Sequence, residues 1–322
     1  MLYPKYHYTS IKNSVMISGI GRSGTTLLGK IVGSYEKFEY VFEPSIIFLL
    51  NALLLQSDLD KNIVVQIFRT YFAEDKMLNY HLGRGYNIRP SDDSCIFNMK
   101  PYSDVMDRVM KVGNAKNAIN IMTQLNSRIA FKNPNVYTII PVLLAKIPNF
   151  KVIDVTRNLF NVLGSVFNKK WFNKRNLQDQ NCFTSWPYHD IGSNMHIPYY
   201  VDIKKETLNF WNNTNDITRN VFVINEICSL KNNFYKFVKN YSYKNQVFIL
   251  KYEDLLKNSD DKIKEISDFL DAKYSETTYQ KIREIDNNSR KYNIKTILNN
   301  CEEKIKKELF KNNELLGYKK TF

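Results

Sequence analysis

The chain has 322 residues, of which 43% are hydrophobic and 14% are aromatic, a composition that excludes a disordered protein and supports a large core. The formal net charge of +14 points to anionic ligands, among them nucleotides, nucleic acid, acidic lipids and acidic glycans. The four cysteines lie far apart without a CxxC or Cys/His cluster, which argues against a zinc site. The first residues lack an apolar signal core and no apolar run has the length of a membrane span, so we expect a cytoplasmic protein.

Strands and helices alternate along the sequence. Short apolar runs predict strands at 14–20, 38–44, 129–135, 150–157 and the start of 246–256. Helical spacing predicts helices at 25–34, 45–56, about 60–80, 104–129 with a break near Gly113, 136–147 despite Pro141, 161–172, about 201–240, 260–272 and 297–318. Residues 173–200 are predicted to be irregular. This order predicts an α/β fold, a three-layer α/β/α arrangement around a central, mainly parallel sheet with helical insertions.

The first strand and helix are joined by SGIGRSGTTLLGK, residues 18–30, which is almost a phosphate-binding loop. A nucleoside-triphosphatase loop reads G-x-x-x-x-G-K-S/T, whereas here Thr25 stands at the lysine position and Arg22 lies inside the loop. Backbone N–H groups at a helix start bind anions. The residues expected to hold an anion are Gly21, Arg22, Ser23, Gly24, Thr25 and Thr26. A donor that has no β/γ-phosphate does not need the missing lysine.

A second candidate phosphate site follows the 150–157 strand. In VIDVTRNLFNVLGSVF, Arg157 ends the strand and Ser165 lies eight positions later, about two turns into the next helix. The carboxyl edge of a parallel sheet is where open α/β folds bind ligands, and an arginine fork with a hydroxyl suits a phosphate monoester. The sequence therefore predicts two anion-binding elements at the same edge of the sheet.

These stretches resemble the sulfotransferases that use 3′-phosphoadenylyl sulfate (PAPS). ISGIGRSGTTLLGKIVGS is similar to their 5′-phosphosulfate loop, and its sequence is most similar to the loops of the tyrosylprotein and carbohydrate branches. Arg157 and Ser165 are similar to the pair of residues that binds the 3′-phosphate in this family. FKNPN, LKYEDLLKN with ISDFLDA, and ELLGY resemble further segments of the family. The resemblance covers 14–175 and 246–318, but Asn-Leu after Arg157 replaces the frequent Asp-Pro or Asp-Gly, and the Lys-x-His of the cytosolic branch is absent.

The resemblance implies a P-loop NTPase-like fold, PAPS as the donor, adenosine 3′,5′-bisphosphate (PAP) as the product and no required metal. We expect one domain over 1–322. Its nucleotide-binding core is expected at 14–175 and 246–318, and an insertion at about 176–245 is expected to cap the acceptor side.

Two further contacts to the nucleotide are expected. The resemblance implies a late loop, with Ser289, Arg290 and Lys291, that contacts the 3′-phosphate. Trp171 and Phe172 are candidates to face the adenine, although aromatic residues at helical spacing more often belong to a core.

Glu43 is the candidate general base. It ends the second strand at the edge that carries Arg22, and the resemblance to the tyrosylprotein and several glycan branches implies a glutamate base in this region. The alternatives are that Glu43 caps the following helix, or that His189 or His196 is the base. Lys132 is the candidate that assists at the bridging oxygen, and Arg22 is the candidate that binds the 5′-phosphate and the sulfuryl group.

The expected acceptor is a hydroxyl on a glycan or a lipid-linked sugar, although the sequence does not separate a sugar from tyrosine or a small alcohol. A kinase or another P-loop enzyme, with Asp154 holding Mg²⁺, is the alternative, and Thr25 in place of lysine argues against it. A nucleic-acid binder is disfavoured, because no known module that interleaves basic and aromatic residues is visible.

Overall fold

The computed structural model describes residues 4–178, 188–189, 196–202, 204–283 and 292–319. The strands are β1 (Val15–Gly19), β2 (Phe38–Phe42), β3 (Arg128–Lys132), β4 (Lys151–Thr156), β5 (Tyr188–His189), β6 (Ile197–Pro198) and β7 (Val247–Lys251). The α-helices are α1 (Lys5–Ile11), α2 (Thr25–Gly33), α3 (Ser45–Gln56), α4 (Lys61–Thr70), α5 (Asn79–His81), α6 (Tyr102–Lys111), α7 (Ala115–Gln124), α8 (Ile140–Lys146), α9 (Leu159–Asn168), α10 (Lys174–Leu177), α11 (Lys205–Asn213), α12 (Asp216–Asn240), α13 (Tyr252–Lys257), α14 (Ser259–Leu270), α15 (Glu276–Arg283), α16 (Ile294–Leu298) and α17 (Glu303–Leu315). A π-helical segment, Tyr71–Leu78, joins α4 to α5, and 3₁₀ turns lie at Ile96–Asn98 and Tyr243–Gln246.

Five strands form one parallel sheet in the order β2-β3-β1-β4-β7. β1 is buried at all five positions, because it lies between two strands and is covered on both faces. Ile17 of β1 pairs with Lys132 of β3 on one side and with Ile153 of β4 on the other. The carboxyl ends of these strands therefore meet at one edge, and the predicted α/β fold with its mainly parallel sheet is confirmed.

Helices cover both faces of the sheet. Val15 and Ile17 of β1 pack with residues of α2, α13 and α14. Met16 packs on the opposite face, in a larger core that includes residues of α3, α4, α8, α9 and α12. Because successive residues of a strand point to opposite faces, this single strand contributes to both cores and produces the three-layer arrangement.

Individual helices differ from the sequence prediction in understandable ways. The break between α6 and α7 lies at Gly113, which has φ +71, as predicted. Pro141 lies in the first turn of α8, where no intrahelical N–H is needed, so the helix begins there and not at residue 136. α1, α15 and α16 were not predicted. Each has eight residues or fewer, too few to show a helical period.

The helix α12 makes up much of the stretch that the sequence set apart at 176–245. It has 25 residues, packs against α9 and α17 and buries two cationic side chains, Arg219 and Lys231. This part of the stretch therefore belongs to the layer that covers the sheet. Within the described part of the chain, no helix combines the length and the apolar character needed to cross a membrane.

Candidate functional site

The loop between β1 and α2 presents the amino terminus of α2 at the carboxyl edge of the sheet. The Ser23 N–H donates to the Ile20 carbonyl over 3.0 Å, which closes a tight turn, and Gly24 then takes φ +97. A Cβ at Gly24 would lie 2.2 Å from the Tyr252 ring, so glycine alone suits both the backbone angle and the space. The first N–H groups of a helix have no partner within it, so those that follow Gly24 are available to an anion.

Among the buried polar atoms without a hydrogen-bond partner in the described residues are Oγ of Ser23, within this loop, and Nε of Arg157, beside it. A buried polar atom without a partner destabilises a fold. Both atoms belong to residues predicted to bind phosphate, and a bound phosphate group would provide the missing partner. The residues present therefore fit an anionic donor such as PAPS.

The two predicted phosphate-binding elements are in direct contact. Nε of Arg22 donates to Oγ of Ser165 over 2.9 Å, and Nη1 of Arg157 donates to the Arg22 carbonyl over 3.0 Å. The Arg22 guanidinium lies over the Trp171 ring at 5.6 Å, and that of Arg157 lies over the Tyr252 ring at 4.6 Å. The fold thus joins two elements that lie 135 residues apart in the chain.

Lys132, the last residue of β3, connects the loop to Glu43. Its Nζ donates to Oγ1 of Thr26 over 3.2 Å and to Oε1 of Glu43. The side chain of Lys132 is 4% exposed, whereas that of Glu43 is 22% exposed. Burial lowers the pKa of Lys132 more than the Glu43 carboxylate raises it, and the charge of Arg22 adds to the lowering. The result is a buried ammonium beside a carboxylate that is partly exposed to solvent.

Glu43 makes this ion pair and does not cap a helix. Its N–H donates to the Lys132 carbonyl over 3.0 Å, and its φ of +42 is uncommon for a residue other than glycine. The next helix, α3, begins at Ser45 without any side-chain cap. The capping alternative for Glu43 is therefore wrong.

The two histidines considered as bases make other contacts. Nδ1 of His189 lies 3.3 Å from Nε2 of Gln56, the last residue of α3. Since α3 has 12 residues and rises about 18 Å, His189 lies at the opposite end of this helix from Glu43. The His196 N–H donates to the Leu177 carbonyl over 2.8 Å. Neither histidine is among the hydrogen-bond partners that the structure describes for Glu43.

Asp154, the residue on which a magnesium-dependent alternative depended, is completely buried. Its Oδ1 accepts from the Tyr137 hydroxyl over 3.1 Å. Its Oδ2 lies 2.9 Å from Nζ of Lys231 and accepts from the Tyr235 hydroxyl. Both carboxylate oxygens are thus engaged inside the core, and Asp154 is not placed to hold Mg²⁺ at the loop.

The remaining candidates divide into three groups. Phe172 is buried in the core. Trp171 is half-buried and lies against the loop, where a Cβ at Gly21 would be 3.0 Å from its ring. Ser289 and Lys291, together with the rest of the predicted late loop, lie outside the described residues.

The sequence analysis missed three buried residues that support the loop, Asn51, Asn135 and Tyr199. Oδ1 of Asn135 accepts from the Gly21 N–H over 2.8 Å, and the other two connect Asn135 to α3. One signal was present in the sequence. Asn51 interrupts the apolar run at 46–55, and a polar group in a buried helix needs a partner.

Comparison with known proteins gives a family and a set of similar structures. The model of the sulfotransferase domain matches residues 12–321, whereas curated protein sequences give no significant match. A sulfotransferase domain from the curacin biosynthetic pathway is 14% identical, with 96% of this chain and 99% of that chain covered and a TM-score of 0.48. The sulfotransferase domain of a Synechococcus olefin synthase is 12% identical, with 99% of each chain covered and a TM-score of 0.48. A mouse sulfotransferase complexed with PAP is 11% identical, with 96% of this chain and 89% of that chain covered and a TM-score of 0.38.

The family model spans nearly the whole chain. The sulfotransferase family uses PAPS as the donor and releases PAP. The parallel sheet, the loop at the start of α2 and the cations around it are what such a donor needs. The chain therefore belongs to the sulfotransferase family and is a PAPS-dependent sulfotransferase.

Proposed function

We propose that this enzyme transfers the sulfuryl group of PAPS to a hydroxyl of a glycan or a lipid-linked sugar, with Glu43 as the general base. The bridge made by Lys132 carries this proposal, since its Nζ contacts both Glu43 and Thr26 of the donor loop. A base for the acceptor and a cation for the leaving group must both lie at the same reacting centre. Here the two groups touch each other and the loop.

The donor is assigned to both phosphate-binding elements. Residues 21–26 hold the 5′-phosphate and the sulfuryl group, and Arg157 with Ser165 holds the 3′-phosphate. Ser289 and Lys291 are further ligands of the 3′-phosphate in this proposal. The buried Nε of Arg157, which has no partner among the described residues, supports the assignment.

PAPS supplies a sulfuryl group attached to a phosphate leaving group, and we infer an in-line displacement that resembles phosphoryl transfer. The acceptor oxygen bonds to sulfur while the bond from sulfur to the bridging oxygen breaks, and its electron pair stays on the 5′-phosphate. Glu43 takes the proton of the acceptor hydroxyl. Arg22 and Lys132 stabilise the charge that develops on the phosphate, and because burial lowers the pKa of Lys132, its proton is easier to share with the bridging oxygen.

The class of acceptor is assigned from the net charge of the chain, and the acceptor side of the site from the position of residues 196–202. The net charge of +14 supports an anionic acceptor such as an acidic glycan. Residues 196–202 are assigned to a cap on the acceptor side, supported by the bond from Tyr199 to Asn135 beside the loop. We place the reaction in the cytoplasm and assign it no metal.

Ligand-induced stabilisation tests the donor assignment. PAP should raise the melting temperature of the wild-type protein, and Arg157→Ala and Ser165→Ala should lose most of that rise. Arg69→Ala removes an arginine that lies over Tyr8 and is the matched control, which should keep the full rise. Stabilisation by ATP with Mg²⁺ but not by PAP would overturn the proposal.

Transfer of radiolabelled sulfate from PAPS to a panel of acceptors tests the acceptor class. The panel contains an acidic glycan, a neutral glycan, a lipid-linked sugar, a tyrosine peptide and a small alcohol. Label in the sugars, and most in the acidic glycan, is the expected result. Label confined to the peptide or the alcohol would reject the sugar acceptor and leave the donor assignment in place.

A further inference from the structure

Asn135 holds the donor loop with both its backbone and its side chain. Its Oδ1 accepts from the Gly21 N–H over 2.8 Å, and its own N–H donates to the Gly19 carbonyl over 2.9 Å. Asn135 is 2% exposed and has φ +62, a left-handed conformation that asparagine adopts more readily than most residues. Because Gly21 directly precedes Arg22, the position of Arg22 depends on these bonds.

The hydroxyl of Tyr199 connects Asn135 to α3. It donates to the Asn135 carbonyl over 3.0 Å and accepts from Nδ2 of Asn51 over 3.0 Å. Oδ1 of Asn51 accepts in turn from the N–H groups of Thr138 and Ile139, over 3.0 and 2.9 Å. Asn51 is 0% exposed and Tyr199 is 1% exposed, so water cannot replace any of these bonds once it is lost.

This chain of hydrogen bonds joins the two halves of the proposed site. The helix that carries Asn51 begins at Ser45, two residues after Glu43, and the other end of the chain of bonds is the loop at Gly21. A base and a donor must be held in a fixed relative position for an in-line reaction. The bonds through Tyr199 form a buried connection between the loop and α3, the helix that follows Glu43.

We propose that Tyr199 is a positioning residue for sulfuryl transfer, which acts through Asn135 to fix the donor loop relative to α3 and Glu43. The inference rests on the proposed assignment of the 5′-phosphate to the loop. It gives a role to residues 196–202, where the sequence showed no recognisable motif.

Tyr199→Phe tests the inference, because it removes one hydroxyl and keeps the ring. The probes are PAP, which has a 5′-phosphate, and adenosine 3′-monophosphate, which lacks it. The Kd of PAP should rise about tenfold, because a buried carbonyl and a buried amide lose their partner and the loop shifts. The Kd of adenosine 3′-monophosphate should rise less than that of PAP, because its phosphate is assigned to Arg157 and Ser165, which the loss of the Tyr199 hydroxyl affects only indirectly, through Arg22.

Tyr35→Phe is the matched control. Tyr35 is 0% exposed, and its hydroxyl donates to the Ile263 carbonyl over 3.2 Å in the core on the other face of the sheet. Removing this hydroxyl should affect the melting temperature as Tyr199→Phe does and leave both Kd values unchanged. A general loss of packing would therefore lower the melting temperature of both variants. A selective weakening of PAP binding would be seen only in Tyr199→Phe.

Asn51→Asp is the second variant, for the case that Tyr199→Phe does not fold. The carboxylate keeps an acceptor for the N–H groups of Thr138 and Ile139, which directly precede α8, and competes with the Asn135 carbonyl for the Tyr199 proton. The Kd of PAP should rise about threefold, again more than that of adenosine 3′-monophosphate.

The outcomes separate this inference from the proposed function. If Tyr199→Phe weakened the binding of both probes equally, or did not weaken the binding of PAP, the proposed role of Tyr199 would be overturned and the donor site would stand. Wild-type protein that does not bind PAP would overturn the proposed donor site and this inference with it.

Discussion

Two buried lysine–carboxylate pairs flank β1 and differ in their surroundings. In the open pair, Lys132 and Glu43, the side chains are 4% and 22% exposed. In the closed pair, Lys231 and Asp154, both are 0% exposed, and tyrosine hydroxyls occupy the remaining positions around the carboxylate. The two pairs contain the same functional groups but differ in the accessibility of the carboxylate. Of the two carboxylates, a substrate hydroxyl can reach only that of the open pair.

The surroundings also indicate what each ion pair contributes to the protein. A buried ion pair adds little net stability compared with apolar residues, but loss of one partner is strongly destabilising. The closed pair ties α12 to β4 through Lys231, whose Nζ also donates to the Val155 carbonyl. The open pair links β3 to Thr26, in the first turn of α2 beside the proposed donor loop, and its carboxylate stays partly exposed. We therefore expect the closed pair to matter for folding and the open pair for the reaction.

Glu43→Gln should have the largest effect, because it removes the proposed base and keeps the shape of the side chain. The rate of transfer from PAPS should fall about a hundredfold to ten-thousandfold, while the Kd of PAP stays nearly constant. The rate is measured as PAP release with the best acceptor from the panel. Glu265→Gln, at an exposed glutamate paired with Lys262 over 2.7 Å, is the control and should keep the wild-type rate. An active Glu43→Gln enzyme would reject Glu43 as the base.

Parallel lysine substitutions test the two pairs directly. Lys231→Met should lower the free energy of unfolding by about 3–5 kcal/mol, because Asp154 is left charged in a closed core. Lys132→Met should lower it by less than about 2 kcal/mol, because Glu43 can be hydrated, and should reduce transfer much more than PAP binding. Urea unfolding and PAP release give the two quantities. Equal destabilisation by both substitutions would show that the distinction between open and closed pairs is false.

The parts of the candidate site that are local in sequence could be proposed from the sequence. The loop at 18–26 combines glycines, an arginine and threonines between an apolar strand and a helix, and each feature has a physical reason within a few residues. The strand that directly precedes Arg157 could be recognised in the same way. The sheet followed from the alternation of apolar runs and helical patterns.

The contacts between distant segments could not be predicted. Glu43 and Lys132 meet across 89 residues, because β2 pairs with β3 and not with β1. No local pattern determines which strands are neighbours. The hydrogen bond between Tyr199 and Asn135 joins residues 64 positions apart, and it could not be predicted for the same reason. Asp154 was misleading for a related reason, since its partner Lys231 lies on α12, far along the chain.

A third buried pair, Glu39 with Arg108 at 2.8 Å, extends the comparison to acid stability. Burial raises the pKa of Glu39, but Arg108 and Lys100 together outweigh burial and bring the pKa from 4.5 down to about 2. This difference corresponds to roughly 3 kcal/mol of unfolding free energy. Because the folded-state pKa is the lower one, this stability is present above pH 4.5 and is lost as the pH falls towards 2.

Urea unfolding of wild-type protein and Glu39→Gln between pH 6 and pH 3 checks this expectation. The difference in unfolding free energy between them should shrink as the pH falls. Asp271→Asn is the control, because the side chain of Asp271 is 95% exposed although it lies 3.7 Å from Arg128, and its difference from wild type should be small and flat. A constant difference for Glu39→Gln would contradict the lowered pKa.

Two tryptophans repeat the contrast between an open and a closed environment. The Arg22 guanidinium lies 5.6 Å from the Trp171 ring at the loop, and that of Arg219 lies 5.5 Å from the buried Trp211 ring. Trp171→Leu should raise the Kd of PAP only about two- to fivefold, because a partly exposed cation–π contact contributes about 0.5–1 kcal/mol. Trp211→Leu should lower the melting temperature and leave PAP binding unchanged, because its ring is completely buried and its loss creates a cavity. Calorimetric titration with PAP and thermal unfolding of both variants give the two readouts. If Trp211→Leu weakened PAP binding as much as Trp171→Leu, binding would depend on overall stability and not on the position of Arg22.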